Sequence, residues 1–246
     1  MKRSCNALKD DYTKVMLQQR GNIMRNRMKR REFFEKYKHG IPLIIFAIIY
    51  LVWFYLIENH LKGPYTIIHT PLDDKIPFCE IFVIPYLLWF VYMAVVVGYL
   101  FFKDKEGYFK CCSFLFIGMT VFLIISTVSP NGQFLRPVFM ERDNIFTDMV
   151  RNLYRTDTPT NLWPSIHVFN SIGCHIAVSK SEKLRSNKLI LRGSFVLCVL
   201  IILSTMFIKQ HSVFDVFTAF LMAVVLYHVV YLQERVIVKR VLEPKF

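Results

Sequence analysis

Six long apolar runs constrain this chain more than any other feature of its sequence. They cover residues 41–57, 81–102, 111–128, 162–178, 193–208 and 216–232. The hydrocarbon core of a bilayer is ~30 Å thick and takes ~20 apolar residues per helix, with ~17 as the lower limit. The fourth run is the weakest because it carries His167, Asn170 and His175. With 54% of its residues hydrophobic and gathered in such runs, the chain is not a typical soluble enzyme.

The runs also predict the fold class. A segment that crosses lipid must satisfy its own backbone hydrogen bonds, so each run is either a helix or part of a closed barrel. The runs lack the alternation of apolar and polar residues that barrel strands show. We therefore predict an all-α, polytopic bundle of six transmembrane helices. Residues 41–234 would form this membrane domain, between a basic N-terminal segment (1–40) and a short tail (235–246).

The distribution of basic residues predicts the orientation. Of the 31 Lys and Arg residues, 24 lie in the N-terminal segment, the tail and the links on their side, and 7 lie in the opposite links. The positive-inside rule therefore places both termini in the cytoplasm of a multi-pass protein in the cell membrane. The net charge of +13 then reflects topology and contact with anionic headgroups, so we expect a bilayer and not nucleic acid as partner. The stretch 12–38 is either a basic interfacial helix or a solvated tail.

The sequence shows no pattern typical of a bound metal or cofactor. Its six cysteines form no CxxC pair and mostly lie inside apolar runs, as buried small apolar side chains do. Zinc-type ligand spacing, a glycine-rich nucleotide loop and a serine nucleophile elbow are all missing from the sequence. We therefore expect neither a metal nor an organic cofactor.

Ionisable side chains within membrane spans are costly, which makes them candidates for function. Pro164 suits a first helical turn, so we expect a helix to start there and to offer free N–H groups to an anion, beside Ser165 and His167. We expect the helix of the sixth run to extend back to His211 and Asp215, which are four residues apart and would share one helix face. A carboxylate there can hold one imidazole nitrogen and leave the other free as a nucleophile.

Two cations accompany these groups. Arg136, between the third and fourth runs, offers a guanidinium fork that suits phosphate oxygens. Lys209 is either a second phosphate ligand or an interfacial lysine. Glu80 and Tyr86, near the outer end of the second run, are further candidates to face the site. By the predicted orientation all of these residues lie on the extracytoplasmic side. Together they suit phosphoryl transfer without a metal: one imidazole attacks phosphorus, the other protonates the leaving oxygen, and the positive groups hold the equatorial oxygens.

The same residues resemble the sequence pattern of the type 2 phosphatidic acid phosphatase superfamily of membrane enzymes. That pattern has three blocks in order, K-x6-R-P, P-S-G-H and S-R-x5-H-x3-D. The second block appears here as Pro164-Ser165-Ile166-His167. The third appears as Ser204-Thr205, followed at the family's spacing by His211 and Asp215, and the first is kept as Arg136-Pro137. The six-helix topology, the block order and the exterior placement match as well.

The resemblance, which covers about residues 41–234, implies a role for each matching residue. It implies that His211 is the nucleophile, forming a phosphohistidine, and that Asp215 orients it. It implies that His167 protonates the leaving alcohol and then activates the incoming water. Arg136 and Ser165 are implied to bind the phosphate.

The chain departs from the family pattern at three positions. Ser129 stands where the family has Lys, Thr205 where it has Arg, and Ile166 where it has Gly. Two of the family's phosphate-binding cations are therefore missing, and Lys209 is a candidate to replace one of them. Relatives that make sphingomyelin or inositol phosphorylceramide also keep the two histidines and the aspartate while lacking these cations. Phosphatase and phosphotransferase chemistry both stay open.

We therefore expect a membrane enzyme whose substrate is a phosphorylated lipid. It would hydrolyse a lipid phosphomonoester or diphosphate, such as phosphatidate, phosphatidylglycerol phosphate or polyprenyl diphosphate, through a phosphohistidine. The alternative is transfer of a phospho-headgroup to a lipid alcohol, as in the sphingomyelin or inositol phosphorylceramide synthases. A non-enzymatic membrane transporter is the alternative from another class, suggested by a polytopic fold with buried histidines. Against a transporter, the polar groups cluster at one membrane face instead of lining a path across.

Overall fold

The computed structural model describes residues 24–60 and 64–232, and helices make up nearly all of the regular structure there. Within these residues, five helices are long and apolar enough to cross a membrane: Met24–Asn59, Glu80–Lys103, Lys105–Val128, Lys188–Phe207 and Val213–Leu232. This confirms the all-α class and the multi-pass membrane protein. The sixth span and the orientation of the termini stay predictions.

We number the helices in chain order. They are α1 (Ile41–His60), α2 (Val83–Lys103), α3 (Lys105–Val128), α4 (Ile145–Thr156), α5 (Ile166–Lys180), α6 (Glu182–Ser186), α7 (Lys188–Phe207) and α8 (Val213–Tyr227). A π-helical turn, His228–Leu232, extends α8, and short 3-10 turns lie at Lys38–Gly40, Asp73–Lys75 and Glu80–Phe82. The two-residue strands β1 (Thr66–Ile67) and β2 (Asn131–Gly132) pair in parallel, with Thr66 opposite Asn131.

The chain divides into two compact units, Met1–Ala47 and Ile48–Phe246. The described part of the first unit is helical over residues 24–37 and continues through the Lys38–Gly40 turn into the start of α1. The predicted interfacial stretch 12–38 is thus helical in its second half, and residues 12–23 lie outside the described residues. The same holds for the predicted tail, residues 235–246.

Helix α5 lies at the centre of the second unit, where it packs against α2, α3, α7 and α8. It corresponds to the fourth apolar run, but its 15 residues rise only ~22 Å, less than a bilayer core. Asn170 and Ser171 on this helix are fully buried. Because neighbouring helices enclose α5, it can carry polar side chains that a lipid-facing helix would not tolerate.

Two glycine–phenylalanine contacts let α3 approach α5 closely. The Phe169 ring covers Gly118, and a Cβ built on Gly118 would overlap that ring. In the reciprocal contact, a Cβ on Gly173 would lie 2.8 Å from the Phe114 ring. The two phenylalanine rings stack with centroids 4.7 Å apart. Any larger residue at either glycine would push the helices apart.

The outer faces of the helices expose apolar side chains. On α2 and α8 these include Phe90, Val91, Val95, Phe217, Leu221 and Val224. Soluble monomers rarely expose large continuous apolar patches. The outward faces therefore suit contact with lipid tails.

At one end of the bundle, residues 64–82 and 129–164 form what we call the loop cap. The N–H of Thr66 donates to the carbonyl of Pro130 at 2.9 Å, and the N–H of Asn161 donates to the carbonyl of Asn131 at 2.6 Å. Further hydrogen bonds tie the cap to the helices, since the N–H of Cys79 donates to the carbonyl of Phe207 at 3.0 Å. The starts of α2, α5 and α8 therefore lie at the same end as the ends of α3 and α7.

Candidate active site

His167 and His211 face each other at the loop-cap end of the bundle, although 43 residues separate them in sequence. Their ring centroids are 5.8 Å apart, with an angle of 55° between the rings. His167 is the second residue of α5, and His211 lies in the turn between α7 and α8. At this separation one phosphoryl group can contact both imidazoles.

The turn that carries His211 is fixed by its own backbone. The N–H groups of Gln210 and His211 both donate to the carbonyl of Thr205, each at 2.9 Å. Lys209 completes the turn with a φ of 52°, in the left-handed region. The side chain of Thr205 is fully buried in α7, where its hydroxyl donates to the carbonyl of Ile202 at 2.7 Å. The residue at the family's arginine position is therefore part of the helix packing.

Asp215 lies behind His211, and its carboxylate contacts two residues. Its Oδ2 is 3.4 Å from Nδ1 of His211, and it also accepts the N–H of Ser212 at 2.9 Å. Ser212 caps α8, which begins at Val213. The expectation that His211 and Asp215 share one helix face is therefore wrong, because His211 precedes the cap. The capping turn brings the two side chains together, and Nδ1 faces the carboxylate, which leaves Nε2 as the open nitrogen.

Two aromatic rings of α2 hold His167. The ring of Tyr86 stacks on the imidazole with centroids 4.5 Å apart, and the ring of Trp89 lies against it at 4.4 Å. Tyr86 and Trp89 are three residues apart and so lie on one face of α2. Nδ1 of His167 is buried and has no hydrogen-bond partner. The ring is thus oriented by packing.

Arg136 lies beside the turn of His211 in a rigid position. Its guanidinium stacks on the ring of Tyr154 at 4.4 Å and donates to the Oε1 of Gln210 at 2.7 Å and to the carbonyl of Tyr154 at 3.2 Å. Its Nε is buried without a partner. Burial lowers the pKa of Arg136, while the charge of Asp157 raises it. The guanidinium is therefore partly desolvated, and its hydrogen bonds to Gln210 and Tyr154 use only two of its five N–H donors.

Gln133 ties the loop of Arg136 to the turn of His211. Its Nε2 donates to the carbonyls of Lys209 and Gln210 at 2.8 and 3.0 Å, and its Oε1 accepts the N–H of Leu135 at 3.0 Å. The residue is 2% exposed. Gln133 thus sets the distance between the cation and the histidine, a role for which the sequence gives no signal beyond its place in the first block.

Ser165 and Pro164 differ from expectation at the start of α5. The helix begins at Ile166, and Ser165 caps it by accepting the N–H of Val168 at 3.4 Å, so Pro164 precedes the helix. Ser165 is fully buried. Its N–H donates to the carbonyl of Asp215 at 3.3 Å, which joins the starts of α5 and α8. This contact helps to hold the two histidines at one place.

Lys209 and Glu80 contact other residues and not the two histidines. The ammonium of Lys209 donates to the carbonyls of Asp73 and Ile76, at 2.7 Å for the first, and burial lowers its pKa. The carboxylate of Glu80 accepts from the Nδ2 of Asn144 at 3.0 Å and lies 3.3 Å from Arg142. Lys209 is thus held by the loop cap, and we leave it out of the proposed phosphate site.

Asp157 is a further ionisable residue at this place, and neither a motif nor spacing indicated it. It follows α4, and its Oδ2 accepts the hydroxyl of Tyr86 at 3.3 Å. Burial raises the pKa of Asp157, while the neighbouring His211 and Arg136 and the hydrogen bond from Tyr86 lower it. A carboxylate therefore lies within electrostatic reach of both groups.

No protein-family model, curated protein or solved structure matches the chain.

Proposed function

We propose that this protein is an integral-membrane enzyme that acts on the phosphate of a lipid, through a covalent phosphohistidine on His211. The observation that carries the proposal is the 5.8 Å separation of the His167 and His211 rings, with Asp215 behind one of them and Arg136 beside the same turn. Hydrolysis of a lipid phosphomonoester or diphosphate is the primary form of the proposal, at the extracytoplasmic face of the cell membrane.

The proposed reaction has two balanced steps. Nε2 of His211 attacks phosphorus, an N–P bond forms, and the P–O bond to the leaving group breaks as protonated His167 gives the leaving oxygen a proton. The leaving group is the lipid alcohol of a phosphomonoester or the lipid phosphate of a diphosphate. Asp215 stabilises the positive imidazole, and the guanidinium of Arg136 holds the phosphoryl oxygens. Neutral His167 then takes a proton from water, the new P–O bond forms, and the N–P bond to His211 breaks.

Transfer of a phospho-headgroup to a lipid alcohol is the second candidate. It shares the first step and differs only in the acceptor of the second. The absence of the family's two cations at Ser129 and Thr205 favours it. Ser129 caps the end of α3, where its N–H donates to the carbonyl of Ile125 at 2.8 Å.

The test uses the purified full chain in mixed micelles with radiolabelled phosphatidate, with and without added diacylglycerol or ceramide. We expect release of labelled phosphate and an acid-labile label on the protein. His211→Gln should lower turnover roughly 1,000-fold or more and abolish the label. His175→Gln is the matched control, because His175 also lies in the bundle but binds Ser194, at 3.0 Å.

Each outcome of this test has a clear meaning. Near-normal turnover in His211→Gln would reject the nucleophile. A labelled lipid product without free phosphate, formed only with the acceptor, would replace hydrolysis by transfer. A protein that forms neither product, and whose transport of a lipid changes with His211, would be a transporter.

The side of the membrane needs its own measurement. Asp148 is an exposed residue of α4, in the loop cap. We expect an Asp148→Cys variant to react with a membrane-impermeant maleimide in intact cells, and the parent chain to serve as control. Labelling only after permeabilisation would place the site in the cytoplasm.

A further inference from the structure

The chain lacks two cations of the family pattern and carries an anion near its histidine pair. The family pattern supplies a Lys and two Arg to the phosphate, and this chain keeps only Arg136 of the three. Lys209, the nearest candidate to replace one, is bound to the carbonyls of Asp73 and Ile76. Asp157 adds a negative charge at the same place.

The position of Asp157 follows from three contacts. Its Oδ2 accepts the hydroxyl of Tyr86 at 3.3 Å, and the ring of Tyr86 stacks on the imidazole of His167 at 4.5 Å. Its N–H donates to the carbonyl of Leu153, one residue before Tyr154, whose ring and carbonyl hold Arg136. The carboxylate therefore lies beside Tyr86, one aromatic ring away from His167, at the end of the helix whose Tyr154 holds Arg136.

The charge of a bound phosphate decides how it responds to this carboxylate. A phosphomonoester carries nearly two negative charges above pH 7, since its second pKa is ~6, whereas a phosphodiester carries one. Two like charges ~6–10 Å apart in a partly buried site repel by an amount that corresponds to roughly a 10- to 100-fold change in binding. With one guanidinium and one carboxylate near the histidine pair, the surroundings suit a monoanion better than a dianion.

We infer that Asp157 is a specificity-determining residue that makes the site select a phosphodiester lipid over a phosphomonoester lipid. This inference rests on the attack by His211, which both forms of the proposed function share, and it favours the second form, transfer of a phospho-headgroup, over hydrolysis of a phosphomonoester. With a diester the N–P bond forms at His211, the P–O bond to the diacylglycerol breaks, and the leaving oxygen takes the proton of His167. The second ester stays on phosphorus throughout: when water or an alcohol forms the new P–O bond, the N–P bond to His211 breaks and the product keeps that ester.

The experiment compares two lipids that differ by one methyl group and one charge, dioleoyl phosphatidate and dioleoyl phosphatidylmethanol. The purified full chain is assayed at pH 8 in mixed micelles, and kcat/KM is measured from diacylglycerol release for each lipid. We expect the wild-type chain to prefer phosphatidylmethanol. Asp157→Asn should shift the ratio of the two kcat/KM values by about tenfold or more toward phosphatidate.

The controls separate charge from structure. Asp157→Glu keeps the charge and should keep the preference, and Tyr86→Phe removes the hydrogen bond without changing the charge. Asp148→Asn removes a carboxylate from α4 that pairs with Arg151 at 2.8 Å and has 64% of its side chain exposed, so the ratio should not move. Asp157→Ser is a second neutral variant, and the thermal midpoint of each variant reports its folding.

The failure of this inference can be told from that of the proposed function. If the wild-type chain releases diacylglycerol from neither lipid, the proposed function fails and the inference fails with it. If the wild-type chain is active and the neutral variants keep its ratio within twofold, only the inference is overturned. Neutral variants that fail to fold, or that fold and lose activity on both lipids, would make Asp157 a structural or essential residue and would overturn it too.

Discussion

Asp73 is the residue of the loop cap whose replacement should cost the protein most stability. Its carboxylate is 2% exposed and accepts four hydrogen bonds. Oδ2 accepts the N–H and hydroxyl of Thr70 at 2.7 and 2.9 Å and the hydroxyl of Ser212 at 2.7 Å. Oδ1 accepts the N–H of Val213 at 2.8 Å. Asp73 thus joins the cap to the start of α8, next to His211.

The perturbation is Asp73→Asn, which keeps the shape and turns one acceptor into a donor. At least one buried donor then faces another donor. Hydrogen bonds to a charged group contribute ~1.5–3 kcal/mol each, and leaving buried partners unpaired is costly, so we expect a loss of ~3–5 kcal/mol in the free energy of unfolding. For a chain of this size that corresponds to a decrease of about 10 °C in Tm.

The assay follows thermal unfolding in detergent with a dye that becomes fluorescent on reaction with thiols. It suits this chain because Cys111, Cys112, Cys174 and Cys198 are buried in the helices and become reactive on unfolding. Asp74→Asn is the control, because the Asp74 side chain is 67% exposed and pairs with His69 at 2.9 Å. Equal Tm values for Asp73→Asn and Asp74→Asn would refute the argument.

The same residue predicts a pH dependence. Burial alone would raise the pKa of Asp73, but the hydrogen bonds from Ser212, Val213 and Thr70 outweigh it and hold the pKa below its ordinary value of 3.8. A carboxyl group with a lowered pKa stabilises the fold above its unfolded pKa and loses that effect as the pH falls through the folded pKa. The difference in Tm between the wild-type chain and Asp73→Asn should therefore be constant near neutral pH and shrink below about pH 4.

Three further substitutions test the packing and the charges. Gly118→Ala places a Cβ into the ring of Phe169, so we expect the free energy of unfolding to fall by ~1–3 kcal/mol, followed by the same thiol assay. Gly98→Ala is the control and should change nothing, because no atom lies within 4 Å of that Cβ. Equal Tm values for the two variants would contradict the close contact. Gln133→Ala frees the turn of His211, and we expect kcat/KM for the lipid to fall by roughly 10- to 100-fold, whereas an unchanged rate would remove Gln133 from the site. Asp157→Asn should raise Tm near neutral pH, because burial raises the pKa of the carboxyl and its charged form costs stability above that pKa. The gain should disappear as the pH falls toward 3.8, the ordinary pKa of the group. A lower Tm of the variant at neutral pH would refute this sign.

Much of the helical framework could be predicted because each signal is local. The run 81–102 became α2 with a start two residues later, and 193–208 became most of α7, which begins five residues earlier, at Lys188. The fourth run forms α5, which at 15 residues is shorter than a helix that crosses a bilayer, although it lies at the centre of the bundle. Hydropathy measures what a segment costs in lipid, whereas α5 is surrounded by protein, so its polar residues weaken the signal without excluding it from the fold.

The candidate site was predicted in part. Spacing and block order brought His167, His211, Asp215 and Arg136 into consideration, and the structure places all four at one end of the bundle. The predicted position of His211 on the helix was wrong, because Ser212 caps α8 and the helix does not extend back to His211. Side-chain capping depends on which donors are left unpaired, and this is visible only once the ends of α7 and α8 are known.

The sequence by itself determined the membrane class and the helical secondary structure, because an unpaired backbone group in lipid is costly wherever it occurs and the length of an apolar run is a local property. Only the tertiary structure decided that the ring of Tyr86 touches His167, that Gln133 spans from the cap to the turn of His211, and that Asp157 binds the hydroxyl of Tyr86. These contacts join residues tens of positions apart, and their energies depend on distance and burial, which no stretch of sequence contains on its own.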